Sequence, residues 1–179
     1  DYAMALDLDE LLVVKVGGGR LEDLVAAAPP FDLMMVNWRL FGSSGKRQQG
    51  FRLQAERFTM ADYVMADDVH FNAFKALFRP ALYDRPGIHQ PRSAPGVTAA
   101  PRITNGSGLL PGQFQVKNYN STDPGGQSLA QINHYITRDL DTFIVKTRRG
   151  SAHQDDREVG LKYWAQRNRN FVRDDSMQP

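Results

Sequence analysis

The run Tyr2-Ala3-Met4-Ala5-Leu6-Asp7-Leu8-Asp9-Glu10 sets three carboxylates directly behind a short apolar segment. Ala3 to Leu6 has the character of a strand buried in the middle of a sheet. Asp7 and Asp9 stand at i and i+2. They share one side if the strand continues, and they can converge on one ion where it gives way to a turn. Paired carboxylate oxygens suit a hard divalent cation such as Mg2+ or Mn2+, which can bridge the phosphates of a diphosphate ester and offset charge on it as it leaves. The same spacing is also common in plain polar turns, so further sequence has to decide between them.

Outward from this segment, Leu11 to Val16 is apolar again and Gly17-Gly18-Gly19 interrupts it. A helix follows, with Leu21, Leu24, Val25 and Ala28 on one face and Glu22 and Asp23 in the first turn, where the helix dipole favours acids. Pro29-Pro30 stops it. Phe31 to Phe41 reads as a strand with Leu33, Met34, Met35 and Val36 buried, closed by Gly42-Ser43-Ser44-Gly45. Residues 51 to 83 fit no single pattern, although Phe74 to Phe78 reads as a strand ending before Pro80. Residues 86–124 form a long Pro/Gly-rich loop region with brief strand islands at Ile88-His89 and Phe114-Gln115-Val116; a loop of that length is usually functional. The last third is helical. Leu140, Phe143 and Ile144 share a face that runs to Arg148, Arg149 and a stop at Gly150, and a second helix spans about Asp156 to Asn168 with Val159, Tyr163 and Trp164.

With 41% apolar and 23% charged residues over 179 positions, the chain has the composition of a folded protein, enough for one core or part of a larger one. A net charge of +2 makes no demand for nucleic acid. The calculated pI near 9.0 points weakly to a phosphate-bearing ligand or an anionic membrane surface. There are no cysteines, which removes disulfides and thiolate chemistry and fits a reducing compartment. No run reaches the roughly 20 apolar residues of a membrane span. These features together predict a cytoplasmic protein, at most peripheral to a membrane. Asp1 leads almost directly into a strand, which reads as a chain cut from a longer one.

The acidic segment is followed in order by further motifs: Trp38-Arg39-Leu40-Phe41-Gly42-Ser43-Ser44-Gly45, Glu56-Arg57-Phe58-Thr59, Phe74-Lys75-Ala76-Leu77-Phe78-Arg79-Pro80, Ile132-Asn133-His134-Tyr135 and Lys146-Thr147-Arg148-Arg149-Gly150. The series resembles the family-2-like glycosyltransferases and the related family-92 enzymes, from about residue 3 to about 175. That resemblance implies an α/β nucleotide-diphospho-sugar transferase (GT-A-like) fold, a mixed sheet with flanking helices. Residues 1–179 would form a single partial domain whose N-terminal nucleotide-binding half precedes them. It implies metal-dependent transfer of a sugar, with inversion, from a nucleotide-sugar donor to a saccharide or lipid-linked hydroxyl, with Mn2+ or Mg2+ as cofactor and no nucleic acid partner.

By the same resemblance Asp7, Asp9 and His134 are metal ligands, with Glu10 supporting them or facing solvent. Trp38, Gly42, Ser43 and Ser44 would form an acceptor platform, since an aromatic face suits a sugar's C–H surface and hydroxyls suit its oxygens. Lys75, Arg148 and Arg149 offer charge for phosphates, but the two arginines already have a role in the last turn of a helix. An inverting transfer needs a carboxylate base, and Glu56 is the expected one unless it pairs with Arg57. The family's glycine-serine motif commonly continues with histidine, where this chain has Lys46. Two other classes compete: a carbohydrate-binding or orphan fragment without catalysis, and a haloacid dehalogenase-like phosphatase. The phosphatase family continues its second aspartate with Gly-Thr, whereas this chain has Glu10-Leu11.

Overall fold

The computed structural model describes residues 1–96, 98–149 and 160–177. In chain order the elements begin β1 (Ala3–Met4), β2 (Glu10–Val14), α1 (Leu21–Ala27), β3 (Leu33–Leu40), α2 (Gln54–Arg57), β4 (Met60–Ala61), β5 (Phe74–Phe78) and β6 (Tyr83–Arg85). They continue with β7 (Arg92–Ser93), β8 (Ile103–Asn105), β9 (Val116–Lys117), β10 (Asn120–Ser121), β11 (Ala130–His134), α3 (Leu140–Arg149), α4 (Leu161–Arg167) and β12 (Val172–Arg173). The chain divides into two compact units, Asp1–Trp38 with Val64–Asn133, and Arg39–Tyr63 with His134–Pro179.

The first unit is built on a strongly curled, mixed six-strand sheet, in a protein of mixed α/β class with few helices. Its order is β1-β5-β3-β11-β2, with β8 also paired to β3. β5 runs antiparallel to both β1 and β3, and β8 runs parallel to β3 against Leu33, Met34 and Met35. Gly106 ends β8. Its N–H donates to the Met35 carbonyl at 2.9 Å, and its own carbonyl accepts from the amides of Leu129 and Ala130 at 3.0 and 2.9 Å. A Cβ on Gly106 would lie 2.7 Å from the Ala130 carbonyl oxygen, so only glycine allows this approach.

β1 and β2 are the two ends of that order, yet only residues 5–9 separate them. In a flat sheet four strand spacings would hold them about 19 Å apart. The connection includes a tight turn, Glu10 N–H to Asp7 carbonyl at 3.0 Å, so it reaches only about 17 Å and the sheet must curl. The Ala3 to Leu6 run therefore differs from the expectation of a mid-sheet strand. It supplies a two-residue edge strand, paired only with β5, whose side chains are half-buried. Ala5 and Leu6 leave the strand for the turn at Asp7, so only Ala3 and Met4 pair.

β3 is buried on both faces, and this explains its continuous apolar run. On one face Met34 and Val36 pack with Leu77, Ile132, Leu24 of α1 and Ala28 just after it. Ala28 takes extended angles (φ −83°, ψ 154°), as a residue before proline should, and α1 ends there. On the other face Leu33, Met35, Phe74, Ala76 and Phe78 meet Tyr83, Ile103 and Phe114. Flanking helices were expected on the sheet; among the described residues of this unit only α1 fills that role. Segments of the long loop region cover the second face, and one of them, β8, joins the sheet.

Asp32, just before β3, accepts two hydrogen bonds from the Arg102 guanidinium at 2.8 and 3.0 Å and one from the Arg102 amide at 2.9 Å. These hold its carboxyl at about 2, down from the ordinary 3.8. A depressed carboxyl contributes stability in full above its unfolded value and loses it as pH falls through the folded one. Wild-type protein should therefore lose stability between about pH 4 and pH 2, and Asp32→Asn should flatten that part of a melting-temperature titration.

In the second unit Phe41, Phe58 and Tyr135 form an aromatic core, with ring centroids 4.8 and 6.3 Å apart. Phe143 of α3 meets Trp164 of α4 edge-on at 4.7 Å. β12 pairs antiparallel with β4. Ile144, expected on the core face, is exposed instead: the buried stripe of α3 centres on Phe143, and Ile144 lies about 100° further round. Of the second C-terminal helix, residues 161–167 are helical, while Asp156, Val159 and the Gly150 stop lie outside the described residues. No helix of the described residues is long and apolar enough to cross a membrane.

Candidate functional site

The acidic segment of the first unit is organised by a lysine from β5. Lys75 sits opposite Val36 in register and is 1% exposed, on the sheet face that also carries Leu77. Its Nζ lies 3.2 Å from Glu10 Oε2 and 3.1 Å from Asp7 Oδ2. Glu10, the first residue of β2, is 2% exposed, and its Oε2 also accepts the Asp7 amide at 2.9 Å. Burial raises the Glu10 carboxyl above its ordinary 4.5, against the pull of the Asp7 amide and the Lys75 charge. Of the two readings open for Glu10, support of the aspartates and solvent exposure, its burial and these contacts favour support.

The Asp7 side chain is 64% exposed, so the buried ammonium holds a carboxylate that faces water. Leu8 is fully out in solvent and Asp9 is half-buried in the same turn. Asp7 and Lys75 line a cavity of about 500 Å³ together with Arg85, Gly87, Ile88 and Arg92. Among the described residues no three histidine, cysteine, aspartate or glutamate side chains gather as a metal-binding group. Two carboxylates in one exposed turn still match what magnesium usually takes from a protein, one or two acids with phosphates and water supplying the rest. The donor set of Asp7 and Asp9 fits an ion of that kind.

Trp38, at the edge of the first unit's core, is half-buried with its ring 5.4 Å from that of His89. His89 in turn stacks on Tyr119 at 4.6 Å with the planes 18° apart. The three rings form a row whose outer member, Tyr119, is exposed.

No known protein family, curated protein or solved structure matches this chain.

The remaining expected site residues belong to the second unit. His134 ends β11, is buried, and accepts the Phe41 amide on its carbonyl at 3.0 Å. Gly42, Ser43 and Ser44 are held through their amides and through the Ser44 hydroxyl. The Asn168 Oδ1 accepts the Ser43 amide and the Asn170 Oδ1 the Ser44 amide, both at 2.7 Å. Ser44 Oγ accepts the Thr59 and Met60 amides at 2.9 and 3.0 Å. A Cβ on Gly42 would run into the Arg169 carbonyl and the Asn170 side chain. These groups tie β4 and the segment after α4 to the turn. Glu56 is exposed in the first turn of α2. Its neighbour Arg57 donates to Asp139 at 2.7 Å instead of pairing with it.

Sequence reading missed Arg85, Arg92, His89 and Tyr119. A signal for the first two was present: residues 79–102 contain Arg79, Arg85, Arg92 and Arg102 against a single acid, Asp84. The aromatic pair carried no such signal, because only the fold brings residue 119 to residue 89.

Proposed function

We propose that this chain is part of a glycosyltransferase with a nucleotide-diphospho-sugar (GT-A-like) fold. It would transfer a sugar from a nucleotide-diphosphate donor to a saccharide or lipid-linked hydroxyl. The observation that carries the reading is the exposed Asp7 carboxylate, pinned by buried Lys75 at the rim of a cavity that two arginines also line. Asp7 and Asp9 would hold Mn2+ or Mg2+. When bound, the ion offsets the charge that develops on the departing diphosphate. The contribution of the chain itself is positional. Glu10 fixes the Lys75 ammonium, the ammonium fixes Asp7 Oδ2, and Asp9 follows two residues on in the same turn. Preorganised charge of this kind needs no rearrangement when the ligand arrives.

For the acceptor side, the exposed Tyr119 at the end of the row with His89 and Trp38 offers an aromatic face to a sugar. The same row supports a second reading, carbohydrate binding without catalysis. Glu56 is the carboxylate proposed as base, since it is exposed and its neighbour Arg57 is turned to Asp139.

The test uses the full-length protein. Manganese with uridine diphosphate should raise its melting temperature, and Asp9→Asn should abolish that rise. Glu56→Gln should lower kcat by a factor of about 10²–10⁴, the usual contribution of a general base, with KM little changed. A shift that persists in Asp9→Asn would remove the aspartates from the site. Saccharide binding with no transfer from any nucleotide sugar would favour the second reading.

A further inference from the structure

Beside Asp7 the chain places two arginines directly opposite each other on a two-stranded ribbon. β6 and β7 pair antiparallel with Tyr83 opposite Ser93 and Arg85 opposite Arg92. From the first pair to the second the chain advances two residues on β6 and one on β7, which makes a bulge at Asp84. A regular ladder would have set Asp84 across from Arg92, an opposite-charge pair. The bulge brings Arg85 across from Arg92 as well. Like charges directly opposite on adjacent strands destabilise a ribbon, so placing Arg85 across from Arg92 adds an unfavourable contact.

Among the described residues that arrangement is offset only weakly. Asp84 lies 3.8 Å from Arg85, but both side chains are more than half exposed, and a pair of that kind contributes little. Arg92 makes no ion pair among the described residues. Both arginines line the cavity of about 500 Å³ that Asp7 and Lys75 also border. The Lys75 charge is already taken up by Glu10 and Asp7, so the cations left for a ligand in the cavity are the two guanidiniums.

We infer that the cavity binds a phosphate group between Arg85 and Arg92 and does so without a metal ion. A guanidinium presents paired N–H donors in a plane that matches two oxygens of a phosphate, and two of them face to face match a dianion. The bound anion turns the repulsion across the ribbon into two attractive contacts. The Pro86-Gly87-Ile88 segment supplies an apolar wall on the same cavity. The inference uses the cavity of the proposed transferase but neither its metal nor Asp9. The phosphate is either that of the nucleotide donor or one carried by a phosphorylated acceptor.

The experiment is calorimetric titration of the full-length protein with inorganic pyrophosphate in the presence of EDTA. Wild-type protein should bind it, and Arg85→Ala and Arg92→Ala should each weaken binding at least tenfold, while Glu22→Gln, an exposed acid in the first turn of α1, should leave it unchanged. Competition then assigns the source. Displacement of pyrophosphate by uridine diphosphate marks a donor site, and displacement by a hexose phosphate alone marks an acceptor site. Either result upholds the phosphate site. Absence of pyrophosphate binding in EDTA, or binding that survives both arginine variants, overturns it. Ligand-free melting gives a second check: Arg92→Ala should melt at or slightly above wild type, and a clear fall would show that the arginines serve the fold alone. A failure here with the manganese-dependent shift intact would leave the transferase reading standing, and the reverse result would leave the phosphate site standing.

Discussion

Lys75→Met should destabilise the protein by about 3–5 kcal/mol at neutral pH, the usual consequence of removing one partner from a buried ion pair. Methionine nearly matches lysine in length, so the change leaves little cavity and isolates the electrostatic effect. It strands Glu10, whose side chain is fully buried and whose Oε2 lies 3.2 Å from the lost ammonium. Burial already holds the Glu10 carboxyl above its ordinary value with Lys75 present. Without Lys75 it rises further. The penalty should therefore shrink as pH falls through the raised value, because Glu10 then takes a proton and the stranded charge disappears. Adding Glu10→Gln to Lys75→Met should recover most of the loss at neutral pH, since a neutral amide leaves no stranded charge. Urea denaturation of the single and double variants at several pH values measures all of this. A pH-independent loss in the single variant would mean that packing matters there and the ion pair does not. Asp7, being mostly exposed, should contribute little to the result, and Asp7→Asn is the control.

Gly42→Ala is expected to have the second large effect, a loss of about 1–3 kcal/mol or more, in the range of overpacked interiors. The added methyl would press on the Arg169 carbonyl and the Asn170 side chain, and the carbonyl cannot swing aside as the tip of a flexible side chain can. Relief would require the segment after α4 to back away. That would weaken the hydrogen bonds from the Ser43 and Ser44 amides to Asn168 and Asn170. Gly42 was expected on sequence grounds to line an acceptor site. The two roles separate cleanly. A packing role predicts a lower melting temperature with saccharide affinity unchanged per folded molecule, and an acceptor role predicts lost affinity at unchanged stability. Asn170→Ala, which withdraws the Ser44 amide's partner without adding bulk, should destabilise in the same direction.

Local signals were sufficient where one segment's own pattern carries the answer. The helix over 21–28 was legible because its apolar spacing, its first-turn acids and Pro29-Pro30 all act within one stretch. The same holds for β3 and β5, whose apolar runs need no knowledge of their neighbours. At Asp7-Leu8-Asp9 the sequence left a continuing strand and a turn both open, and the hydrogen bond from the Glu10 amide to the Asp7 carbonyl decides for the turn. Sheet membership was not legible. Ile103-Thr104-Asn105 carries no alternation that marks a central pairing, and it joins β3 only because Gly106 allows the chain to pass close to Ala130.

The segment Asp7-Leu8-Asp9-Glu10 shows where the division falls. The order of residues determined that three carboxylates would follow an apolar run and that at least one would meet water. Which one would be buried, and against what, depended on partners 65 or more positions away, and neither propensity nor period encodes those distances. Curling of the sheet set Lys75 between Glu10 and Asp7, and a bulge set Arg85 across from Arg92 at the same cavity. Charges distant in the chain acquire a common chemistry only when the backbone brings them within a few ångströms, so the electrostatics of this site belong to the tertiary structure.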